Sequence, residues 1–234
     1  MSPAAFAGAI GELSEFPLFR NIDPQKIWDL CEGGQILLHR HRDVLFRSGE
    51  PAESFGIVLS GAYKLSKLSN SGEDAVIHFS SPGDVLAALV MAQPAPRYPL
   101  TAQAMGPSRV FMIHRDIYIK SWLATPHLIA QVQALLSNRM GRLQSLRVMQ
   151  RAPLPAKVAS LLLQLVAKDR TSDEMKVSLP LTRQEIADSL GVAVESVIRV
   201  MSEWAKQGYI TTSDQYIRIL KPELIIEQVH ELAD

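Results

Sequence analysis

A single cysteine, Cys31, stands in 234 residues. One thiol closes no internal disulfide, supplies no four-thiolate zinc site and holds no iron–sulfur cluster by itself. Aromatic residues are sparse at 6%, and 24 Lys+Arg balance 24 Asp+Glu, so neither charge sign is in excess. Zero net charge counts against binding to polyanions, because neutralising phosphates rewards a basic surface. Long apolar runs are missing too: the longest, residues 158–166, contains Ser160 and Gln164 and falls well short of the ~20 residues of a membrane span. The Ala-rich start has no Lys or Arg ahead of its apolar run, so no signal peptide is expected. The expectation is a cytoplasmic chain with no membrane partner, long enough for one large domain or two small ones.

What the chain has instead is punctuation. Between residues 34 and 113, short apolar runs alternate with Gly, Pro, Asn and Ser, as short strands joined by tight turns do. Gly49, Gly61, Gly72 and Gly83 recur at spacings of 12, 11 and 11, inside Ser48-Gly49-Glu50, Ser60-Gly61, Asn70-Ser71-Gly72 and Pro82-Gly83-Asp84. The segments between them, 55–59, 63–68 and 75–79, read as strands of a small antiparallel β-roll or jelly-roll barrel.

After Pro126 the period changes. Leu128, Val132, Leu135, Leu136, Met140, Leu143, Leu146 and Met149 follow at steps mostly of three or four, which predicts an amphipathic helix of about seven turns. A narrow seam on a long helix suits packing along a second copy of itself, so these residues are candidate dimer contacts. A helix lying along the roll is the other arrangement the pattern allows. Ala152-Pro153-Leu154-Pro155 breaks the helix, since proline removes a donor and disfavours the α region before it. The chain thus divides into residues 1–125, 126–151 and 152–234. Beyond the break come a helix over 156–168, a polar turn over 169–174, a strand over 176–179, two helices, and a hairpin of 209–212 and 215–220 around Ser213-Asp214. That order predicts a winged helix-turn-helix.

Thr182 and Glu185 form the Thr-x-x-Glu capping box of the first of those two helices, with Ile186, Ala187 and Leu190 on its apolar side. Gly191 permits the left-handed turn into the second. There Val197, Val200, Met201 and Trp204 face inward, leaving Val194, Glu195, Ile198, Arg199 and Ser202 outside. Glu195 and Arg199 form either a surface ion pair worth about 0.3 kcal/mol or a base-reading pair. In the second helix of a helix-turn-helix, Arg binds guanine O6/N7, Glu accepts from cytosine N4, and Ile198 meets a thymine methyl. That setting favours base readout. Ser196 joins the candidate DNA contacts, and Thr182, Arg183 and Gln184 are candidates for phosphate contact at a helix start. Residues 152–234 hold nine Lys/Arg against twelve Asp/Glu, so any DNA contact must come from the face presented rather than the overall charge. Arg139, Arg142, Arg147 and Arg151, with no acid between 126 and 151, solvate the long helix.

Pro17-Leu18-Phe19, Ser48-Gly49-Glu50, Leu59-Ser60-Gly61, Ser81-Pro82-Gly83-Asp84, the long helix, the 181–187 segment and the 194–199 segment together resemble the Crp/Fnr family of bacterial transcription regulators. The resemblance runs over residues 15–220. It implies an α+β fold: an N-terminal antiparallel β-roll of jelly-roll, cyclic-nucleotide-binding-like type, a long dimerisation helix and a C-terminal winged helix-turn-helix. It implies a regulator rather than an enzyme. Its implied partners are double-stranded DNA with a two-fold symmetric operator, a second copy of the chain, and RNA polymerase if the protein is an activator. Val194-Glu195 followed by Arg199 is closer to the Fnr-like pattern than to that of the cyclic AMP receptor, which has Arg before the Glu. Ile198 departs from the Ser usual in Fnr-like members.

In relatives that bind cyclic AMP, a Gly-Glu pair after the Pro-Gly-Asp turn holds the ribose and an Arg-Ser or Arg-Thr pair the phosphate. By resemblance, this chain has Ala87-Ala88 and Tyr98-Pro99 there, which offer neither carboxylate nor cation. Cyclic AMP in the usual mode is therefore not expected, although Arg97 lies one residue away. Ala87, Ala88, Leu89, Arg97, Tyr98, Pro99, Leu100, Thr101, Leu135 and Leu143 mark a candidate effector pocket, suited to an apolar effector or to none. A member that binds DNA without a ligand is the alternative. The iron–sulfur mode of Fnr needs a cysteine cluster. Haem-based sensing also occurs in the family, with His39, His41, His78, His114, His127 and Cys31 as candidate axial ligands. His39 and His41 would share one face of a strand that ran through both, but no third histidine and carboxylate at cupin spacing accompany them.

Overall fold

The computed structural model describes residues 2–68, 74–148, 152–166, 175–177 and 179–230. The chain forms two compact units, one of residues 1–67 and 77–140, the other of residues 68–76 and 141–234.

The first unit opens with α1 (Pro3–Ser14), a helix that the sequence expectation omits. Its signals were present: Ser2 caps it, Pro3 suits the first turn, and Ala9, Ile10 and Leu13 bury at helical spacing. Asp23 likewise caps α2 (Pro24–Leu30), accepting from Gln25 N–H at 2.8 Å. Eight strands follow: β1 (Gln35–His39), β2 (Val44–Phe46), β3 (Ser54–Ser60), β4 (Tyr63–Leu68), β5 (Asp74–Ser80), β6 (Val85–Leu86), β7 (Thr101–Ala104) and β8 (Ser108–His114). They form two four-stranded sheets, ordered β1-β8-β3-β6 and β2-β7-β4-β5, which is the antiparallel β-roll expected. Gly61 turns β3 into β4 at φ 75°, and a Cβ there would collide with the Ser108 side chain and the Pro107 carbonyl. The Gly72 turn lies outside the described residues.

Phe55, Ile57, Tyr63, Leu86, Phe111 and Ile113 fill the space inside the roll. Trp122 closes it at the end of a π turn (Tyr118–Trp122) that continues α3 (Arg115–Ile117). Its indole packs edge-on to Phe55 at 4.6 Å and donates to the Leu30 carbonyl at 2.8 Å, which satisfies a buried donor. The long helix α4 (Pro126–Val148) starts where the sequence places it. Leu128 and Val132 belong to the roll's own core.

In the second unit α5 (Leu154–Gln164) begins two residues before the expected start. Pro153 is its N-cap and Pro155 lies in its first turn, where a missing N–H costs nothing, so the two prolines open this helix rather than forming a free linker. The expected 169–174 turn lies outside the described residues. The strand expected at 176–179 is the shorter β9 (Met175–Lys176). α6 (Arg183–Leu190), α7 (Val194–Lys206), β10 (Ile210–Ser213) and β11 (Tyr216–Ile219) follow, and the sheet order β10-β11-β9 makes the wing. A final helix, α8 (Pro222–His230), is not in the sequence expectation; it packs on α5 and buries Ile225.

Candidate nucleic-acid interface

α6 starts on a complete capping box: Thr182 N–H donates to Glu185 Oε2 at 2.9 Å and Glu185 N–H donates to Thr182 Oγ1 at 3.1 Å. The Thr182 hydroxyl also donates to Glu185 Oε2 at 2.9 Å, so its proton is used inside the cap. Arg183 is half-buried, and its Nη2 donates to Thr212 Oγ1 on β10 at 3.1 Å. Burial lowers its pKa, because charge is disfavoured away from water. Gln184 is exposed and donates from Nε2 to Asp188 Oδ1 at 2.7 Å. Gly191 ends α6 at φ 65°, ψ 41°, and Val192 N–H returns to the Ala187 carbonyl at 3.1 Å.

α7 is strongly sided. Val197, Met201 and Trp204 are buried, whereas Glu195, Ile198 (45% exposed), Arg199 and Ser202 stand in solvent. Steps of three and four place those exposed residues on one face. Val194 and Ser196 are half-buried at the start of the helix. No ion pair joins Glu195 to Arg199 among the described residues, so both charges are available to a partner.

The wing turn sits one residue beyond its expected place. Ser213 pairs with Tyr216 across Asp214 (φ 48°) and Gln215 (φ 68°), two consecutive left-handed residues, as a two-residue type I′ hairpin requires. Lys176, Arg218 and Tyr216 fall on strands that the sequence places, but they are not among its candidate DNA contacts. Register places Lys176 opposite Arg218, and Lys176 Nζ lies 4.5 Å from the Tyr216 ring centroid. Only the strand pairing gathers them, and no local spacing announces it.

In the roll, the candidate effector residues separate. Ala88 (3% exposed) and Tyr98 (8%) belong to the core. Tyr98 stacks on Phe46 at 3.9 Å and 5°, and its hydroxyl donates to the Ser54 carbonyl at 2.8 Å. Burial raises its pKa. Arg97 and Pro99 are exposed, and Arg97 Nη1 donates to the Gly49 carbonyl at 2.6 Å. The Ser48 hydroxyl donates to the Pro99 carbonyl and Ser48 N–H to Thr101 Oγ1, each at 3.1 Å, which ties this loop to the turn after β2. Leu89 is 56% exposed, while Leu100 and Leu135 are half-buried against the core. Ala87 holds a left-handed backbone, φ 64°, ahead of the 3₁₀ turn Ala88–Val90, a conformation that costs a Cβ-bearing residue about 1–2 kcal/mol.

The candidate histidines do not gather among the described residues. β1 ends at His39, and Arg42 at φ 70° belongs to the turn beyond it, so no strand runs through both His39 and His41 and they share no strand face. His39 Nδ1 lies 2.9 Å from the Tyr63 hydroxyl, His78 Nε2 3.3 Å from Ser80 Oγ, and His127 Nε2 donates to the Arg20 carbonyl at 3.1 Å. His114 Nδ1 accepts from Asp116 N–H at 3.3 Å. Among the described residues no three His, Cys, Asp or Glu side chains form a metal-binding group. Cys31 is buried, and burial pushes its thiol up to about 12.

Of the candidate dimer contacts, Leu128 and Val132 face into the roll, Leu135 and Leu136 are half-buried against it, and Met140 is 57% exposed. The side chains of Leu143, Leu146, Arg139, Arg142 and Arg147, and all of Met149 and Arg151, lie outside the described residues. No helix is long and apolar enough among them to cross a membrane.

Comparison with known proteins agrees with this architecture. Residues 156–227 match the model of the Crp-like helix-turn-helix domain and residues 38–120 that of the cyclic nucleotide-binding domain. A CRP-like cAMP-activated global transcriptional regulator of Mycobacterium tuberculosis is 26% identical over 215 residues, covering 90% of this chain and 95% of that protein. The transcriptional activator protein FnrA of Stutzerimonas stutzeri is 26% identical, with 87% and 84% covered. The solved structure of FixK2 from Bradyrhizobium japonicum superposes with a TM-score of 0.71 at 22% identity, over 83% of this chain and 96% of that one.

Proposed function

Since this chain belongs to the Crp/Fnr family of DNA-binding transcription regulators, which are not enzymes, we propose that it is a homodimer that reads a two-fold symmetric operator. In this reading, residues 1–125 sense, 126–151 dimerise and 152–234 bind DNA. The observation that carries it is the solvent face of α7, where Glu195, Ile198 and Arg199 stand together without hydrogen-bond or ion-pair partners for their side chains among the described residues. Arg199 would bind guanine O6/N7, Glu195 would accept from cytosine N4, and Ile198 would cover a thymine methyl. Backbone contacts come from the start of α6 and from the wing, whose Lys176 and Arg218 offset the acidic balance of the domain where it matters. Two copies of α7 on one face of DNA need a separation near ~34 Å, one helical turn. Exposed Met140 on α4 marks the proposed seam that holds them so. RNA polymerase is a further partner if the chain is an activator. Enrichment of a palindrome from random duplex DNA tests the proposal, and its loss in Arg199→Ala tests the named contact.

The roll's residues do not fit a cyclic nucleotide held in the usual way. Ala88 offers a methyl where a ribose needs an acceptor, the Tyr98 hydroxyl is committed to Ser54, and Arg97 is committed to Gly49 at the surface. The cAMP activation named for the Mycobacterium tuberculosis relative is therefore not carried over. The Phe46–Tyr98 stack fills this part of the roll with the chain's own side chains, which favours a regulator competent for DNA without a cyclic nucleotide. The test is operator binding by the purified protein with and without cyclic AMP, where equal affinity is expected.

A further inference from the structure

We infer that Thr212, on the wing, is a positioning residue for DNA binding: it holds the Arg183 guanidinium at the start of α6, aimed at the DNA backbone. The inference rests on the DNA-binding reading above and adds a residue that contacts no base.

Ile210 is buried on β10, and alternation puts Thr212 on the same side of the strand, one step past the edge of the core. From there its hydroxyl accepts from Arg183 Nη2 at 3.1 Å. A second bond fastens the same corner, with Leu181 N–H donating to the Gln215 carbonyl of the wing turn at 2.9 Å. The entrance to α6 and the tip of the wing are thus tied at one point. Arg183 makes no ion pair among the described residues, and its bond to Thr212 occupies one of its five donors. A half-buried cation held by a neutral acceptor keeps its charge for an anion, whereas a carboxylate at position 212 would have neutralised it. Holding a long side chain in one rotamer before binding removes an ordering cost that binding would otherwise carry. Neighbouring Thr182 spends its hydroxyl proton on Glu185, and Gln184 spends one of its two amide donors on Asp188. Arg183 is therefore the one charged side chain of this trio, with four donors outside its bond to Thr212.

The experiment measures operator affinity of the full chain over a salt series for wild type, Thr212→Val, Thr212→Ser, Arg183→Ala and the double variant Arg183→Ala/Thr212→Val, with a thermal melt of each. Valine keeps the β-branched shape and removes the acceptor. Thr212→Val is expected to weaken binding about two- to tenfold per half-site, the range of one hydrogen bond. It should also reduce the salt slope toward that of Arg183→Ala, which loses about 0.9 per half-site. Thr212→Ser should restore both, and in the Arg183→Ala background Thr212→Val should change nothing. Wild-type affinity and slope in Thr212→Val would overturn the assignment. So would an equal loss from Thr212→Val with and without Arg183, since the residue would then act independently of it. If wild type bound no duplex at all, the DNA-binding reading would fail and take this assignment with it. A Thr212→Val loss confined to the melting temperature, with the slope unchanged, would leave Thr212 structural and refute a positioning role.

Discussion

Replacing Arg199 with alanine separates recognition from folding. The side chain is exposed on α7 and makes no ion pair among the described residues. Alanine is also at least as good a helix former, so stability should stay within about 0.5 kcal/mol of wild type. On the operator the loss is of another size. A bidentate arginine–guanine contact discriminates by about 1–3 kcal/mol. A symmetric dimer makes it twice at well-separated positions, so the losses add to about 2–6 kcal/mol. Even the lower end corresponds to about 30-fold in affinity for the cognate duplex. Binding to unrelated duplex DNA, carried by backbone contacts, should fall far less. Fluorescence anisotropy with a selected operator and a scrambled duplex, at one fixed salt concentration, reads both quantities. A proportionate loss on both duplexes would refute the base-contact role, and a collapse of the melting temperature would place Arg199 in the fold instead.

Four other expectations follow. Gly191→Ala should destabilise the DNA-binding unit by about 1 kcal/mol in a denaturant titration, because φ is 65° and open space surrounds the missing Cβ, so the backbone alone objects; a neutral result would contradict that. Cys31 should resist alkylation in the folded chain at pH 8, where a pKa of about 12 leaves roughly one thiolate in 10⁴, and should react once urea unfolds it. The raised thiol pKa also sets a sign. The unfolded chain ionises Cys31 first, so this group's contribution is unchanged below pH ~8.5 and lost as pH rises above it; a stability flat through that range, or rising, would contradict the burial. Millimolar cyclic AMP should leave the melting temperature unmoved, whereas a ligand at 100 times its Kd would add about 2.7 kcal/mol.

Where local chemistry decides a structure, the sequence was readable. β4 falls at Tyr63–Leu68, as the turn residues around it imply, and the Thr182–Glu185 box and Gly191 set both ends of α6. The sidedness of α7 follows from the spacing of Val197, Met201 and Trp204. Long-range geometry was not readable in the same way. Leu128 and Val132 carry the same pattern whether a helix faces its own roll or a second copy, and only packing assigns them to the roll. Whether one strand runs through both His39 and His41 is not legible locally; β1 ends at His39, and the left-handed Arg42 turn lies beyond His41. The Pro153 and Pro155 signals were ambiguous because proline both stops one helix and starts the next. The Lys176–Arg218 and Arg183–Thr212 pairings depend on strand register and on a contact between wing and helix, which no window along the chain contains.

The central claim is that two copies of α7 read one symmetric DNA site. Selection from random duplex DNA by the purified, unliganded protein tests it most directly. The expected result is enrichment of a palindrome whose half-sites lie about 10 base pairs apart, centre to centre, or a multiple of that, with affinity that falls as salt rises. Enrichment of a single asymmetric half-site would contradict the dimer, and a pool that shows no enrichment would contradict base reading by Glu195, Ile198 and Arg199.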